Sequence, residues 1–315
     1  MKIPAIPSPE RFADQVGDMV TSMVAQERVL KLGIPKGSLA DSTIDLFARA
    51  GFNITIPSRG YYPVIDDSEL SCIMFRAQEM SRYVDDGVLD CGLTGHDWIC
   101  ENNSDVHEVC ELVYSKATSR PARWVLAVPN ESSVTRPEEL NGGIIATELV
   151  NVTRHYFEKR GIKVRIEFSW GATEVKARLL SGIVDVTETG SSLKANNLRI
   201  IDEILTSTPR LIANHRAWAD PWKREKIESM ALLLRGAIEA RAKVGLKLNC
   251  SRANLDAILK ILPAELSPTI SSLADNQYVA VEAILEAVVE RRIVPLLQKA
   301  GASGIIVYPL SKVLP

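Results

Sequence analysis

Short apolar runs alternate along the chain with stretches whose apolar positions recur at helical spacing. VLKLGI (29–34) is an apolar strand, PKGSLA turns, and a helix follows to about Ala50 with Gly51 placed to stop it. Ser38 and Asp41 are spaced like a capping box at its start. FNITIP then gives a second strand, completing the strand–loop–helix–strand unit of an α/β sheet. The unit recurs: EMSRYVDDG (79–87) reads as helix, LDCGLT (89–94) as strand, GHDWI as a helix start and RWVLAVP (123–129) as a buried strand. GIIAT (143–147) is a strand, and Asn151 is placed to cap a helix running to Gly161. VRIEF is a strand, ATEVKARLLSG a helix with a Gly stop and IVDVT (183–187) a strand. Two alternating α/β lobes follow, with the chain crossing between them near 115–122 and 200–210.

Both ends depart from this rhythm. Residues 1–10 read as a loose arm and 11–27 as a helix, through Phe12, Val16, Met19, Val20, Met23 and Val24. WADPWKREKIESMALLLRGAIEARAKV reads as one long helix. After it come strand GLKLNC (245–250), helix RANLDAILKIL, strands PTISSL and YVAVEAIL, helix ERRIVPLLQKAGA and strand GIIVYPL. That order, βαββαβ, is the ferredoxin-like split unit. Pro295 predicts a late start or a kink in its last helix. The expected division is an extension over 1–27, lobe I over 28–118 and 204–242, lobe II over 119–203, and a C-terminal unit over 243–315.

Composition narrows the function. Length favours two or three domains over one core, and 46% apolar with 24% charged residues is the balance of a folded soluble protein. A net charge of -2 supplies no global field for nucleic acid or an acidic membrane, so a polyanionic ligand would need a local cluster of donors. The N-terminus lacks a long apolar segment, no run reaches membrane-spanning length, and the expectation is a cytoplasmic protein. The five scattered cysteines form no CxxC, and the four histidines have no zinc-binding spacing, so neither a disulfide framework nor a dedicated metal site is expected.

Five segments carry candidate chemistry, and all lie at the carboxyl ends of predicted strands, where two-lobed α/β chains bind ligands. In IVDVTETGSSLKANNL (183–198), Gly190 permits close backbone approach, while Thr189, Ser191 and Ser192 offer hydroxyls beside the helical turn begun at Leu193. That set suits a phosphate, and Asp185 and Glu188 suit ribose hydroxyls or Mg2+ already bridging a pyrophosphate. As composition alone, the same residues are an ordinary polar turn. Lys36 and Gly37 lie in a second strand-to-helix turn that is not a P-loop. Thr147, Glu148 and Arg154 follow a third strand; Thr173 and Glu174 open a helix, with Lys176 beyond them. Each of these charges also reads as a capping or solvated surface group. His96, in DCGLTGHDWI, reads as a surface or capping residue rather than a base.

The ordered set PKGSLADSTIDLFARAG, DGVLDCGLTGHDW, RWVLAVP, ATELVNVTRHYF, GATEVKARL, VDVTETGSSLKANNL and SPTISSLAD resembles the ATP phosphoribosyltransferase family, from about residue 28 to the C-terminus. The βαββαβ unit resembles the regulatory domain of the long form. The resemblance implies a two-lobed, periplasmic-binding-protein-like (type II) catalytic core. It also implies that ATP, through adenine N1, displaces pyrophosphate from phosphoribosyl pyrophosphate with Mg2+, as the first step of histidine biosynthesis. By the same match, 189–193 cradles the 5-phosphate and Asp185 and Glu188 meet the ribose. Lys36, Gly37, Ser38, Thr147, Glu148, Arg154, Thr173 and Glu174 face the nucleotide, and Lys36, Arg154 and Lys176 are candidate phosphate contacts. Histidine as inhibitor would meet Asn249, Thr269, Ile284 and Gly304, in a homo-oligomer of hexamers and dimers. Ser38 stands where many relatives have Arg, so a contact made by that Arg does not carry over, and residues 1–27 exceed the usual start. The competing class is a non-enzymatic two-lobed binding or sensor protein.

Overall fold

A computed structural model describes residues 28–57, 60–114, 121–263 and 267–314. The extension 1–27, with the helix expected over 11–27, lies outside the described residues.

Lobe I opens with β1 (Leu30–Lys36), α1 (Ala40–Ala50), β2 (Ile54–Thr55), β3 (Val64–Ile65) and β4 (Leu70–Arg76). It continues with α2 (Ala77–Asp85), β5 (Cys91–Gly95), α3 (His96–Asn102) and β6 (His107–Glu111). The chain then builds lobe II from β7 (Ala122–Pro129), β8 (Ile144–Thr147), α4 (Val150–Lys159) and β9 (Arg165–Phe168). α5 (Thr173–Lys176), β10 (Gly182–Thr187), α6 (Ser191–Ala195) and β11 (Leu198–Ser207) complete it. β12 (Pro209–Ala213) returns to lobe I and is followed by α7 (His215–Ala219) and α8 (Pro221–Glu239).

Each lobe is a five-stranded sheet, ordered β4-β1-β5-β12-β6 in lobe I and β11-β7-β10-β8-β9 in lobe II. In each, the strand delivered by a crossing from the other lobe runs antiparallel, between the third and fourth strands of that lobe's own series. This shared order is the type II periplasmic-binding-protein-like arrangement. β1 is covered on both faces: Leu30, Leu32 and Ile34 are fully buried on one, and Gly33 lies against Met80 and Leu89 on the other. α1 and α8 cover one face through Phe47, Ile227, Met230 and Leu234; Met80, Val84 and Ile99 cover the other.

β13 (Lys243–Ser251), α9 (Leu255–Ile261), β14 (Thr269–Ser272), β15 (Tyr278–Glu286), α10 (Ala287–Lys299) and β16 (Ser303–Pro309) form the C-terminal unit. Its sheet order is β14-β15-β13-β16, antiparallel throughout, which is the ferredoxin-like topology. Leu246, Leu248, Val279, Val281 and Leu285 bury against Ile258, Ile293 and Leu297 of the helices. The segment after β16 leaves this unit for lobe I: Lys312 Nζ donates to Ala50 O at 2.8 Å, and Val313 N donates to Gly236 O at 2.9 Å.

Several local expectations are corrected. FNITIP contributes only β2, which pairs with β3 in a separate ribbon; the second strand of the main sheet is Leu70–Arg76. α1 begins without a side-chain cap, so Ser38 and Asp41 do not form a capping box. Asn151 lies inside α4 and does not cap it. The helix over ATEVKARLLSG stops at Lys176 and gives way to hydrogen-bonded turns, in which Ala177 is buried while Val175 and Leu179 stay 63% and 81% exposed, so only a narrow apolar edge supports it. The long helix is broken at Asp220, whose carboxylate accepts from Lys223 N while Pro221 opens α8. α10 starts at Ala287 and continues across Pro295, with Ile293 and Leu297 buried on either side of it. All five cysteines are free. Among the described residues, no helix is long and apolar enough to cross a membrane.

Candidate active site

A cavity of about 640 Å³ opens between the lobes at the carboxyl ends of their strands. Lobe I contributes Lys36, Gly37 and Ser38 after β1, Arg76 and Gln78 after β4, and Asp97 and Trp98 after β5. Lobe II contributes Glu148 after β8 and Asp185, Val186, Thr187 and Glu188 from the end of β10. Trp124, Ser207 and Thr208, on the crossing strands or between them, line it as well.

The cleft brings carboxylates together. The Asp185 carboxyl is pushed up to about 6, chiefly by burial, with a hydrogen bond from Val186 N opposing the rise and the charges of Glu174 and Glu148 adding to it. Burial also raises Glu148, opposed chiefly by the Arg76 guanidinium. Asp97 is raised by burial, although Trp124 Nε1 donates to it at 2.7 Å. On lobe I, opposite Glu148 and Asp185, Lys36 Nζ stands 4.0 Å from the centroid of the Tyr61 ring. A cleft of this kind fits a ligand that carries hydroxyls and anions together with a compensating cation.

The loop after β10 is built around Gly190, which caps α6 at φ +77°, a backbone that side-chain-bearing residues resist. Gly190 N donates to Thr187 Oγ1 at 2.7 Å, and Thr189 Oγ1 donates to Ser191 Oγ at 2.9 Å. Thr189, Ser191 and Ser192 are exposed, whereas Leu193 is buried and anchors the turn to the core. The Leu193 side chain is therefore a packing group, and only its backbone is available to a ligand.

Other expected residues are engaged elsewhere. Thr147 is fully buried and its hydroxyl accepts from Leu149 N at 3.0 Å. Thr173 Oγ1 lies 2.8 Å from Ser169 Oγ, which also accepts from Lys176 Nζ at 2.8 Å; this polar node fixes the β9–α5 loop. Arg154 is exposed and donates to Asn151 Oδ1 at 2.7 Å, away from the cleft lining. Glu174 does not line the cleft and reaches it through its charge on Asp185. His96 lies 3.4 Å from Cys100 Sγ and 3.5 Å from Glu108, outside the lining. Sequence reasoning missed Arg76, Gln78, Asp97, Trp98, Trp124 and Ser207. Asp97 had a readable signal, since it lies two residues beyond Gly95, the glycine that ends β5 in TGHDW.

In the C-terminal unit, Asn249, Thr269 and Ile284 lie on the sheet face turned away from the helices. They do not meet within one chain. Ile284 pairs with Gly245, four residues along β13 from Asn249, a span of roughly 13 Å at strand rise. Gly304, at φ +57°, is close to Asn249, whose Nδ2 would stand 3.4 Å from a Cβ added there.

The comparisons agree with this architecture. The profile of the family described as ATP phosphoribosyltransferase matches residues 76–236, and that of the HisG C-terminal domain matches 240–312. An ATP phosphoribosyltransferase of Pelodictyon phaeoclathratiforme is 58% identical over 91% of this chain and 98% of its own. One from Chlorobium chlorochromatii is 56% identical over 93% of this chain and 100% of its own. Among solved structures, a chain of the Thermotoga maritima ATP phosphoribosyl transferase (HisG:HisZ) complex superposes with a TM-score of 0.58 at 32% identity. It covers 67% of this chain and 99% of that one. The chain belongs to the ATP phosphoribosyltransferase family of pentosyl transferases, in the form that carries the C-terminal domain.

Proposed function

We propose that the protein catalyses the first step of histidine biosynthesis, joining adenine N1 of ATP to C1 of 5-phosphoribosyl 1-pyrophosphate and releasing pyrophosphate. The observation that carries this reading is the continuous path from Asp185 and Glu188 in the cleft to the Gly190 loop, facing Lys36 and Arg76 across it. The loop amides and the hydroxyls of Thr189, Ser191 and Ser192 hold the 5-phosphate. Asp185 and Glu188 accept from the ribose hydroxyls and orient C1. Lys36 and Arg76 meet the phosphates of the nucleotide. Adenine N1 is already an unprotonated lone pair near neutral pH, so the protein's work is alignment and charge stabilisation rather than base catalysis.

Mg2+, brought in as part of the pyrophosphate-bearing substrate, would supply positive charge to the leaving group. The described residues hold no cluster of three metal-binding side chains, but the paired carboxylates Glu148 and Asp185 suit a cation brought in by substrate. Incubation with ATP, phosphoribosyl pyrophosphate and Mg2+ should yield phosphoribosyl-ATP. Tight binding of either substrate with no product would favour the sensor reading instead.

Regulation belongs to the same proposal. The protein acts in the cytoplasm as a hexamer in exchange with dimers, and histidine binds where C-terminal sheets of two copies meet. The wide separation of Asn249 and Gly304 from Ile284 supports a site shared between chains. Gly304→Leu should leave activity intact and raise the histidine concentration for half-inhibition at least tenfold, the loss of about 1.4 kcal/mol of binding. Unchanged inhibition would remove this face from the regulatory site.

A further inference from the structure

α3 belongs to lobe I by sequence, yet its side chains bond and pack into lobe II. Asp97 and Glu101 lie one helical turn apart on it, and both are buried, at 7% and 8% exposure. Asp97 accepts from Trp124 Nε1 of β7 at 2.7 Å, and its own amide donates to Ser207 Oγ of β11 at 3.1 Å. Glu101 reaches the start of α4: Asn151 N donates to its two oxygens at 3.0 and 2.9 Å, and Val152 N at 3.0 Å. Asn151 Nδ2 returns a bond to Glu101 O at 2.9 Å. Between the two carboxylates, Trp98 packs edge-on against Trp124, 6.1 Å between ring centres. α4 has no cap of its own, so the first-turn amides of a lobe II helix are satisfied by a lobe I side chain.

We propose that α3 is a clamp between the lobes and that Glu101 is a positioning residue for the reaction. It acts through α4. The segment from Glu148 to Asn151 joins a cleft-lining carboxylate directly to the amides that Glu101 holds. Fixing those amides fixes Glu148 relative to Arg76 and Gln78 on the opposite lobe. Two chain crossings alone would leave the lobes free to hinge. The bonds of Asp97 and Glu101, at opposite ends of α3, remove that freedom, so substrates enter a cleft of preset width. Asp97 is itself in the cleft lining, which leaves Glu101 as the residue that reports on the clamp alone.

Kinetic consequences rest on the proposed reaction, whereas exchange consequences do not. Glu101→Asp keeps the charge but withdraws it by one methylene from the amides; Glu101→Gln keeps the reach and an acceptor. The expected results for Glu101→Asp are amide hydrogen exchange about tenfold faster over 148–153 in the full-length protein and KM values for both substrates about tenfold higher. Its kcat should change little, and Glu101→Gln should restore most of both losses. Parental exchange and parental KM in Glu101→Asp would overturn the clamp, as would a Glu101→Gln variant no better than Glu101→Asp. If the parent forms no phosphoribosyl-ATP, the functional reading fails and exchange alone decides the clamp.

Discussion

Asp185→Asn should lower kcat/KM by roughly a hundredfold and, above pH 6, raise the melting temperature. The activity loss follows from the two ribose hydroxyls, which lose a charged acceptor, an interaction on the order of 3 kcal/mol. The stability gain has a different origin. Burial, reinforced by Glu174 and Glu148, lifts the Asp185 carboxyl from its ordinary 3.8 to about 6. The folded protein therefore retains a proton between those values that the unfolded chain has already released. Stability falls as pH rises through that window, and the cost is fully present above pH 6. Asparagine carries no charge to desolvate, so its advantage appears above pH 6 and vanishes below the ordinary carboxyl value. Thermal melts at pH 5 and 8, with steady-state kinetics at pH 8, check both halves. Equal melting at pH 8 or retained kcat/KM would remove Asp185 from the role given to it.

Gly190→Val should abolish measurable binding of phosphoribosyl pyrophosphate while leaving the lobes folded. Space is not the obstacle, since the nearest atom to an added Cβ is Ile200 Cδ1 at 4.0 Å. The obstacle is φ +77°, which costs a side-chain-bearing residue about 1–2 kcal/mol and a β-branched one more. Valine would turn the loop to negative φ. That would break the bond from Gly190 N to Thr187 Oγ1 and the cap from Lys194 N to Gly190 O. Ser191 and Ser192 would then face elsewhere. Gly190→Ala, able to tolerate the strain, should weaken binding only several-fold. Calorimetry with Mg2+ and the substrate, beside a melting curve, separates lost binding from lost fold. Parental affinity in folded Gly190→Val would show that 189–193 is only a turn.

Sequence patterning reached the parts of this molecule that are locally determined. The alternation of strands and helices, the βαββαβ unit and the strand-end turns at Lys36, Glu148 and Asp185 all follow from periodicity within one element. β11 and β12 were hidden. β11 pairs with β7 through two register shifts, after Ile200 and after Glu203, so its apolar residues lose the alternation that marks a strand. β12 is contributed to the sheet of the other lobe, which no local pattern records. Asp97, Trp124 and Ser207 were missed for the same reason: the cleft assembles them from separated segments, and each looks ordinary in its own. Asn151 shows the converse error. Its spacing fits a helix cap, but the carboxylate that satisfies α4 comes from Glu101, fifty residues upstream.

The return of residues 311–314 to lobe I has a consequence for how the molecule comes apart. The C-terminal sheet is attached twice, through α8 at its entry and through Lys312 and Val313 at its exit. A double attachment makes the second contact intramolecular, with a high effective concentration once the first is in place. A protease cut between α8 and β13 would therefore nick the chain without releasing the fragment. The Lys312 ammonium also neutralises the negative end of α1, whose opposite end leads from Gly37 and Ser38 in the cleft. Replacing Lys312 by a residue that cannot donate there would be felt as fraying of that helix, at a distance from the C-terminal sheet itself.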